Sequence, residues 1–226
     1  MTAEVRVIPE LAVLDRPAAE AMLVQVFGFA RGGDLLHFGG QAVALVQAEA
    51  APGHGVMDHL ALAVADVDAA LAAFVARGAR LEATTPKGPR EIAEFWGAGV
   101  RYVFLEGPEG ARIELCAHLG GAARPGLPGH DHLGIPCTDI AASSAFWEGL
   151  GAAPVAAVDL ARPDGVTRVR FLSLGDSMVE LYEPPALRGA RAGFAAPALW
   201  RGLRLQGTAL APGLREGPDG LRVAVV

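Results

Sequence analysis

Met57–Asp66 (MDHLALAVAD) and His130–Asp139 (HDHLGIPCTD) are two copies of one pattern. Each sets a histidine, His59 or His132, at the head of an alternating apolar run that closes on aspartate. Such alternation puts every second side chain on one face of a half-buried strand. An apolar-periodic segment follows each copy, and its aspartate and closing glycine stand 12 residues apart in both, Asp66 to Gly78 and Asp139 to Gly151. Aspartate before such a segment supplies an N-cap and glycine after it a C-terminal stop, so both predict helices. Further out, Arg80–Ala83 (RLEA), Arg101–Leu105 (RYVFL) and Ala111–Cys116 (ARIELC) read as strands, the last two joined by the turn Gly107–Gly110 (GPEG). In the second copy Pro154–Val158, Thr167–Leu174 and Ser177–Tyr182 take the same places. Two units of one strand, one helix and three strands are therefore expected, over about 57–118 and 131–183.

Each unit ends in a strand carrying one inward carboxylate, Glu114 in the first and Glu180 in the second. Two imidazoles and two carboxylates delivered by repeated units make a candidate site for a divalent metal. On the bland alternative, the histidines are strand-edge structural residues and the glutamates are surface groups.

The flanking sequence reads as degenerate copies. Asp15 precedes Arg16–Gly28 (RPAAEAMLVQVFG), Ala42–Gln47 (AVALVQ) reads as a last strand, and Ile8 and Ala44 fall nearest to the places of His59 and Glu114. In the tail, Arg201–Gly207 (RGLRLQG) echoes Arg77–Ala83, and Glu216–Val225 (EGPDGLRVAV) echoes Glu106–Leu115, with Ala224 in the place of Glu114. This last copy is expected to have lost much of its opening strand and helix.

The chain has 226 residues, 52% hydrophobic, with a formal charge of -6. That is enough for one large or two small globular domains. The negative balance and the absence of basic runs disfavour non-specific nucleic-acid binding. No apolar stretch approaches the roughly 20 residues of a membrane span. Met1–Glu10 lacks the order of a secretory signal, and two cysteines, Cys116 and Cys137, make a disulfide framework improbable. A cytoplasmic location and a small-molecule substrate are the expectations, with neither nucleic acid nor membrane as partner.

The repeated unit, with histidine near its first strand and glutamate in its last, resembles the vicinal oxygen chelate superfamily. That superfamily includes glyoxalase I, methylmalonyl-CoA epimerase, extradiol dioxygenases and the bleomycin- or fosfomycin-resistance proteins. Phe104–Leu115 (FLEGPEGARIEL) resembles the ending of a second-half module and Phe171–Pro185 (FLSLGDSMVELYEPP) that of a first-half module. The resemblance covers about residues 5–226, most clearly 57–183. It implies an α+β fold of repeated βαβββ modules, with curved sheets enclosing a cavity that often has a metal on its floor. Its ligand order of His, Glu or Gln, His, Glu falls here on His59, Glu114, His132 and Glu180. The module endings imply pairing of first with second and third with fourth. The paired halves would be 1–120 and 127–226, divided at the Gly- and Pro-rich stretch His118–Gly129. In that arrangement contact of the central modules, or a homodimer interface, has to bring the two ligand pairs together.

Such a ligand set suits Zn, Ni, Co, Mn or Fe(II). Proton transfer beside a carbonyl, as isomerase or lyase with Glu180 or Glu114 as base, is the leading expectation. A non-heme iron dioxygenase using His59, His132 and Glu180 is the runner-up. A non-catalytic binding or resistance protein is the third reading. Cys116 and Tyr182 follow their glutamates by two and face the same side, as cavity lining or as packing. Arg101, Arg112 and Arg170 are candidates for a substrate anion or for the surface. Phe95 and Trp96, in the connection Pro86–Gly99, are candidates for a pocket rim. Trp147 is expected in the core.

Overall fold

The computed structural model describes residues 5–120, 129–190 and 193–226. The remainder of the expected boundary, residues 121–128, lies outside the described residues. The first unit contains β1 (Arg6–Val13), α1 (Arg16–Gln25), β2 (Ala30–Gly32), β3 (Leu35–Phe38) and β4 (Gln41–Gln47). The second contains β5 (His59–Ala63), α2 (Val67–Ala76), β6 (Arg90–Ile92), β7 (Val100–Glu106) and β8 (Arg112–His118). The third contains β9 (Gly129–Pro136), α3 (Ile140–Gly149), β10 (Ala153–Arg162), β11 (Gly165–Leu174) and β12 (Ser177–Glu183). The fourth has strands alone: β13 (Trp200–Gln206), β14 (Gly213–Glu216) and β15 (Arg222–Val225). The fold is the expected α+β assembly of repeated βαβββ-like modules.

The helices start where aspartate offers a cap. Asp15 accepts from the Ala18 amide, Asp66 from Ala69, and Asp139 from both Ala141 and Ala142. Gly78 at φ 101° and Gly151 at φ 96° follow α2 and α3 in left-handed conformations that favour glycine.

Two sheets result, and their composition corrects the expected pairing. An eight-stranded sheet runs β10-β11-β12-β9-β5-β8-β7-β6, joining the second unit to the third. A seven-stranded sheet runs β14-β15-β13-β1-β4-β3-β2, joining the first to the fourth. Each expected half therefore contributes to both sheets. The seam is an antiparallel pair of opening strands, β5 with β9 and β1 with β13.

Two smaller readings change. Arg80–Ala83 forms no strand, only a single bridge from Leu81 to Leu105, and β6 lies further along in what reads as a connection. The fourth unit keeps its opening strand: β13 runs parallel to β15 as β5 does to β8. The helix is what it lacks. The echo of Arg77–Ala83 in the tail therefore points to the wrong element.

One apolar cluster runs between the sheets and under the helices. It takes Leu60 and Leu62 from β5, Leu133 and Ile135 from β9, Leu11 and Val13 from β1, and Leu203 from β13. Trp147 of α3 is wholly buried in it, as expected of a core residue. Burying each such side chain is worth about 1.5–3 kcal/mol, so the seams are held from their apolar side. The alternate positions of β5, His59, Ala61 and Ala63, are left for the opposite face. Among the described residues no helix is long and apolar enough to cross a membrane.

Turns tie the two sheets together at equivalent places. Glu109, at φ 53° in the GPEG turn, accepts from the Leu14 and Asp15 amides ahead of α1. Asp219, at φ 59° in the GPDG turn, accepts from the Thr138 amide and hydroxyl ahead of α3.

Candidate metal centre

The central seam carries the four proposed ligands to one point. Strand register does this. Ala61 of β5 lies opposite Glu114 of β8, and Gly134 of β9 lies opposite Glu180 of β12. His59 and His132 each stand two residues before those partners, on the same face. Nε2 of His59 is 3.0 Å from Oε2 of Glu114, and Nε2 of His132 is 3.3 Å from the same oxygen. His132 Nε2 also meets Glu180 Oε2 at 2.9 Å, and the two Nε2 atoms are 3.1 Å apart. All four residues are buried. Contact of the central units within one chain is thus sufficient to unite the two pairs.

The same register applied to the outer sheet explains why it holds no such site. Ala44 lies opposite Glu10 and Ala224 opposite Arg204, so the counterparts of the four proposed ligands are Ile8, Ala44, Gly202 and Ala224. None of these four side chains can donate to a metal.

Both imidazoles are oriented from behind. Asp58 Oδ2 lies 3.0 Å from His59 Nδ1, and Asp131 Oδ1 lies 2.9 Å from His132 Nδ1. Asp131 reaches that position through a β-bulge: Ala61 faces His132, Leu62 faces His130, and Asp131 is the extra residue between them. Sequence reasoning passed over both aspartates, although the doublet Asp-His in each repeat was the available signal. Asp58 is held in turn by the guanidinium of Arg112, whose Nε lies 3.0 Å from Glu82. The Tyr182 hydroxyl also bonds to Asp58, and burial together with Asp58 and Glu180 pushes its pKa well up.

Electrostatics here follows from the crowd of carboxylates. Burial alone would strip His59 of its proton, yet the hydrogen bonds it donates to Asp58 and Glu114 raise its pKa to about 9. His132 is likewise raised against burial by Glu180, Glu114 and Asp131. Burial pushes Glu114 up, and the two imidazoles outweigh it and hold the carboxyl low. Excess buried negative charge is drawing in positive charge, which a divalent cation supplies equally well. The spacing agrees. With bonds of about 2.1 Å, neighbouring ligand atoms around one ion stand about 3.0–3.4 Å apart, close to the contacts found here. The donor atoms of His59, His132 and Glu180 all lie within 4.8 Å of one another. The residues fit a divalent metal.

A second grouping, Cys116, His118 and Asp131, also lies within 4.8 Å. It adjoins the first through Asp131, whose Oδ2 is 3.4 Å from His118 Nε2.

The site forms the floor of a cavity of about 330 Å³. Cys116 and Tyr182, read as cavity lining or as packing, both line it, as do the rim candidates Phe95 and Trp96, and so does Arg112. Arg101 and Arg170 do not. Arg101 is spent on Asp68 and Glu91, at 2.7 and 3.0 Å, and Arg170 on Asp159 at 3.0 Å. Their strands point these side chains away from the cavity face, because Arg101 alternates with the inward Val100 and Tyr102. Tyr102, Phe104 and Phe171 are lining residues that sequence reasoning missed.

Comparison with known proteins agrees with this geometry. Residues 129–221 match the sequence model of the Glyoxalase/Bleomycin resistance protein/Dioxygenase superfamily. Over that stretch this chain is similar to the vicinal oxygen chelate superfamily. Glyoxalase I from Zea mays superposes with a TM-score of 0.69 at 17% identity, covering 98% of this chain and 92% of that one. A point mutant of the same maize enzyme gives 0.71 at 16% identity, covering 99% and 94%. A putative dioxygenase from Bacillus subtilis gives 0.57 at 11% identity, covering 96% and 83%. No curated protein matches the chain significantly by sequence. At these identities the likeness is one of fold, reached over nearly the whole of this chain.

Proposed function

We propose that this protein is a metal-dependent isomerase or lyase that moves a proton on carbon beside a carbonyl of a small oxygenated substrate. One observation carries the reading: two buried glutamates from repeated units converge on paired imidazoles at the floor of an apolar cavity. His59, Glu114, His132 and Glu180 would hold the ion. When bound, a divalent metal supplies a Lewis acid for a carbonyl oxygen.

The two glutamates are not equivalent. Glu114 Oε2 is shared between both imidazoles, whereas Glu180 meets His132. Glu180 is therefore the carboxylate freer to accept a substrate proton and return it to a neighbouring carbon, while Glu114 stays as an anchor. Aromatic walls exclude water around that transfer: Phe104 meets the His59 ring edge-on at 5.0 Å, and Tyr182 stacks at 6.4 Å.

A second reading is oxygen chemistry at non-heme Fe(II), supported by the His59, His132 and Glu180 group. Glu114 at 3.0 and 3.3 Å from the imidazoles occupies a position that this chemistry keeps open, which favours the first reading.

The deciding experiment measures metal content together with exchange of the α-proton for deuterium in a panel of 2-oxo and 2-hydroxy carbonyl compounds. Glu180→Gln should lower exchange by about 10²–10⁴-fold at unchanged metal occupancy. Oxygen uptake with Fe(II) and no exchange would replace the first reading with the second. Tight ligand binding with neither would leave a binding protein.

A further inference from the structure

The walls above the proposed metal site define what the substrate looks like away from its oxygens. Phe95, Trp96, Tyr102, Phe104, Phe171 and Tyr182 line the cavity, with Val100, Leu160 and Val169 between them. Phe171 makes the wall continuous. Its ring lies 4.6 Å from that of Trp96 and 6.5 Å from the imidazole of His132. Trp96 is held in place on its other side by stacking on His118 at 5.5 Å, and it sits at φ 53°.

Charge is disposed in the opposite sense to what an anionic substrate needs. Four carboxylates line the cavity: Asp58, Glu114, Asp131 and Glu180. Arg112 is the one arginine among the lining residues, and Asp58 and Glu82 hold it. Around the cavity, Arg162 is paired with Glu94, and Arg101 and Arg170 with their own acids. Arg90 is exposed and reaches the wall through the Tyr102 hydroxyl. A carboxylate or phosphate in this space would be desolvated among acids, since Arg112 is held by two carboxylates and Arg90, bonded to the Tyr102 hydroxyl, is exposed and outside the lining. That cost is far above that of burying apolar surface.

We propose that the substrate is an uncharged molecule with an aromatic or branched aliphatic body, presenting its oxygens to the His/Glu floor, and not an anionic thiol conjugate. This rests on the reading of that floor as a metal site, and deepens it. The cavity volume of about 330 Å³ is at the small end for ligand sites, matching a compact ligand.

The test holds the chelating head constant and varies the body. Benzohydroxamate, cyclohexyl hydroxamate and succinic monohydroxamate are titrated calorimetrically into the metal-loaded protein, and again after metal removal by EDTA. The two uncharged compounds should bind at least about 30-fold more tightly than the carboxylate. Trp96→Leu, which stays apolar, should weaken benzohydroxamate by about 10-fold and leave the succinic compound unchanged. Thr167 lines the cavity from a half-buried position on β11, so Thr167→Arg installs a cation at its wall, and a thermal melt of the variant checks that it folds. That variant should tighten the succinic compound by about 10-fold. Equal or tighter binding of the succinic compound to the unaltered protein overturns the proposal while metal-dependent binding leaves the metal reading standing. The expected ranking with no effect of EDTA sinks the metal reading and keeps this one. Absence of binding by all three overturns both.

Discussion

The imidazole of His59 lies over Gly134, its direct partner across the central seam, in the space where any other side chain would begin. A Cβ built on Gly134 would stand 1.9 Å from Cε1 and 2.2 Å from Nε2 of His59. The glycine is there for close approach, and its hydrogen is what lets His59 turn Nε2 toward Glu114. Gly134→Ala should therefore push the ring off its line and weaken Zn or Co affinity by about 10–100-fold, the range for disturbing the orientation of a ligating histidine. The overpacking should also cost about 1–3 kcal/mol. A competitive chelator titration and a denaturant melt check the two effects. Unchanged metal affinity would show that His59 is not held where the seam places it.

Asp58 and Asp131 stand behind the two histidines, but they are secured differently. Asp58 is gripped by Arg112 and bonded by Tyr182, whereas Asp131 sits in a bulge beside His118. Asp131→Asn removes a full charge from the back of His132 and should lower metal affinity by about 10–100-fold. Asp58→Asn should do the same to His59 and in addition leave the half-buried Arg112 with Glu82 as its remaining anchor, so it should cost more stability than Asp131→Asn. Thermal melts of the two metal-free variants distinguish them. Equal losses would mean that the Arg112 bridge contributes nothing.

How far the sequence goes is shown by the four proposed ligands. Alternation and duplication were enough to single out His59, Glu114, His132 and Glu180, which the fold brings together, and to see that Ile8, Ala44 and Ala224 stand in their places elsewhere, because a parallel pair of strands keeps its register within a unit. The meeting of the units was not legible. Which opening strand joins which is decided by long-range burial of faces such as Leu60, Leu62, Leu133 and Ile135, and periodicity is the same for either pairing. Arg101 and Arg170 show a second limit: a charged residue on a strand announces its type, while its face depends on a phase that short strands leave open. The aspartates behind the histidines escaped for another reason. In a regular strand Asp131 and His132 point oppositely, and only the bulge turns both into one site.

The two acidic turns offer a prediction about folding and not about chemistry. Asp219 satisfies the amide and the hydroxyl of Thr138, at 2.9 and 2.8 Å, just before α3 begins at Ile140. It thereby ties the unit that lacks a helix to the one that presents His132. Asp219→Ala should cost about 0.5–2 kcal/mol, as does loss of a capping oxygen, and should speed hydrogen exchange at the Thr138 amide. Glu109→Ala should act alike at Leu14 and Asp15. Slow exchange at those amides in the variants would show that the turns are ornaments of the fold, carrying no part of its stability.

Glu10 supplies the acid limb of stability. It is buried on β1 and receives Arg204 at 2.6 Å and Arg201 at 2.8 Å from β13, across the outer seam, where Glu10 and Arg204 stand in the places of Ala61 and Gly134. Burial pushes its carboxyl up, and the two guanidinium groups together outweigh that and hold the pKa below the ordinary 4.5. A depressed folded-state pKa stabilises the fold fully above the unfolded value, and that stabilisation is lost as pH falls through the folded one. The pair should therefore contribute at pH 7 and fade below about 4.5. Glu10→Gln keeps the shape and removes the charge. It should lower stability at pH 7 by about 1–3 kcal/mol, the worth of charge-assisted hydrogen bonds, and leave stability near pH 2 almost unaltered. Other depressed carboxyls, including Asp58 and Glu82, titrate in the same range, so the informative quantity is the difference between variant and parent. Denaturant unfolding at a series of pH values supplies it. The difference should shrink toward zero as pH falls below 4.5; a gap that is constant across pH would assign Glu10 to packing and remove its ion pairs from the account of the outer seam.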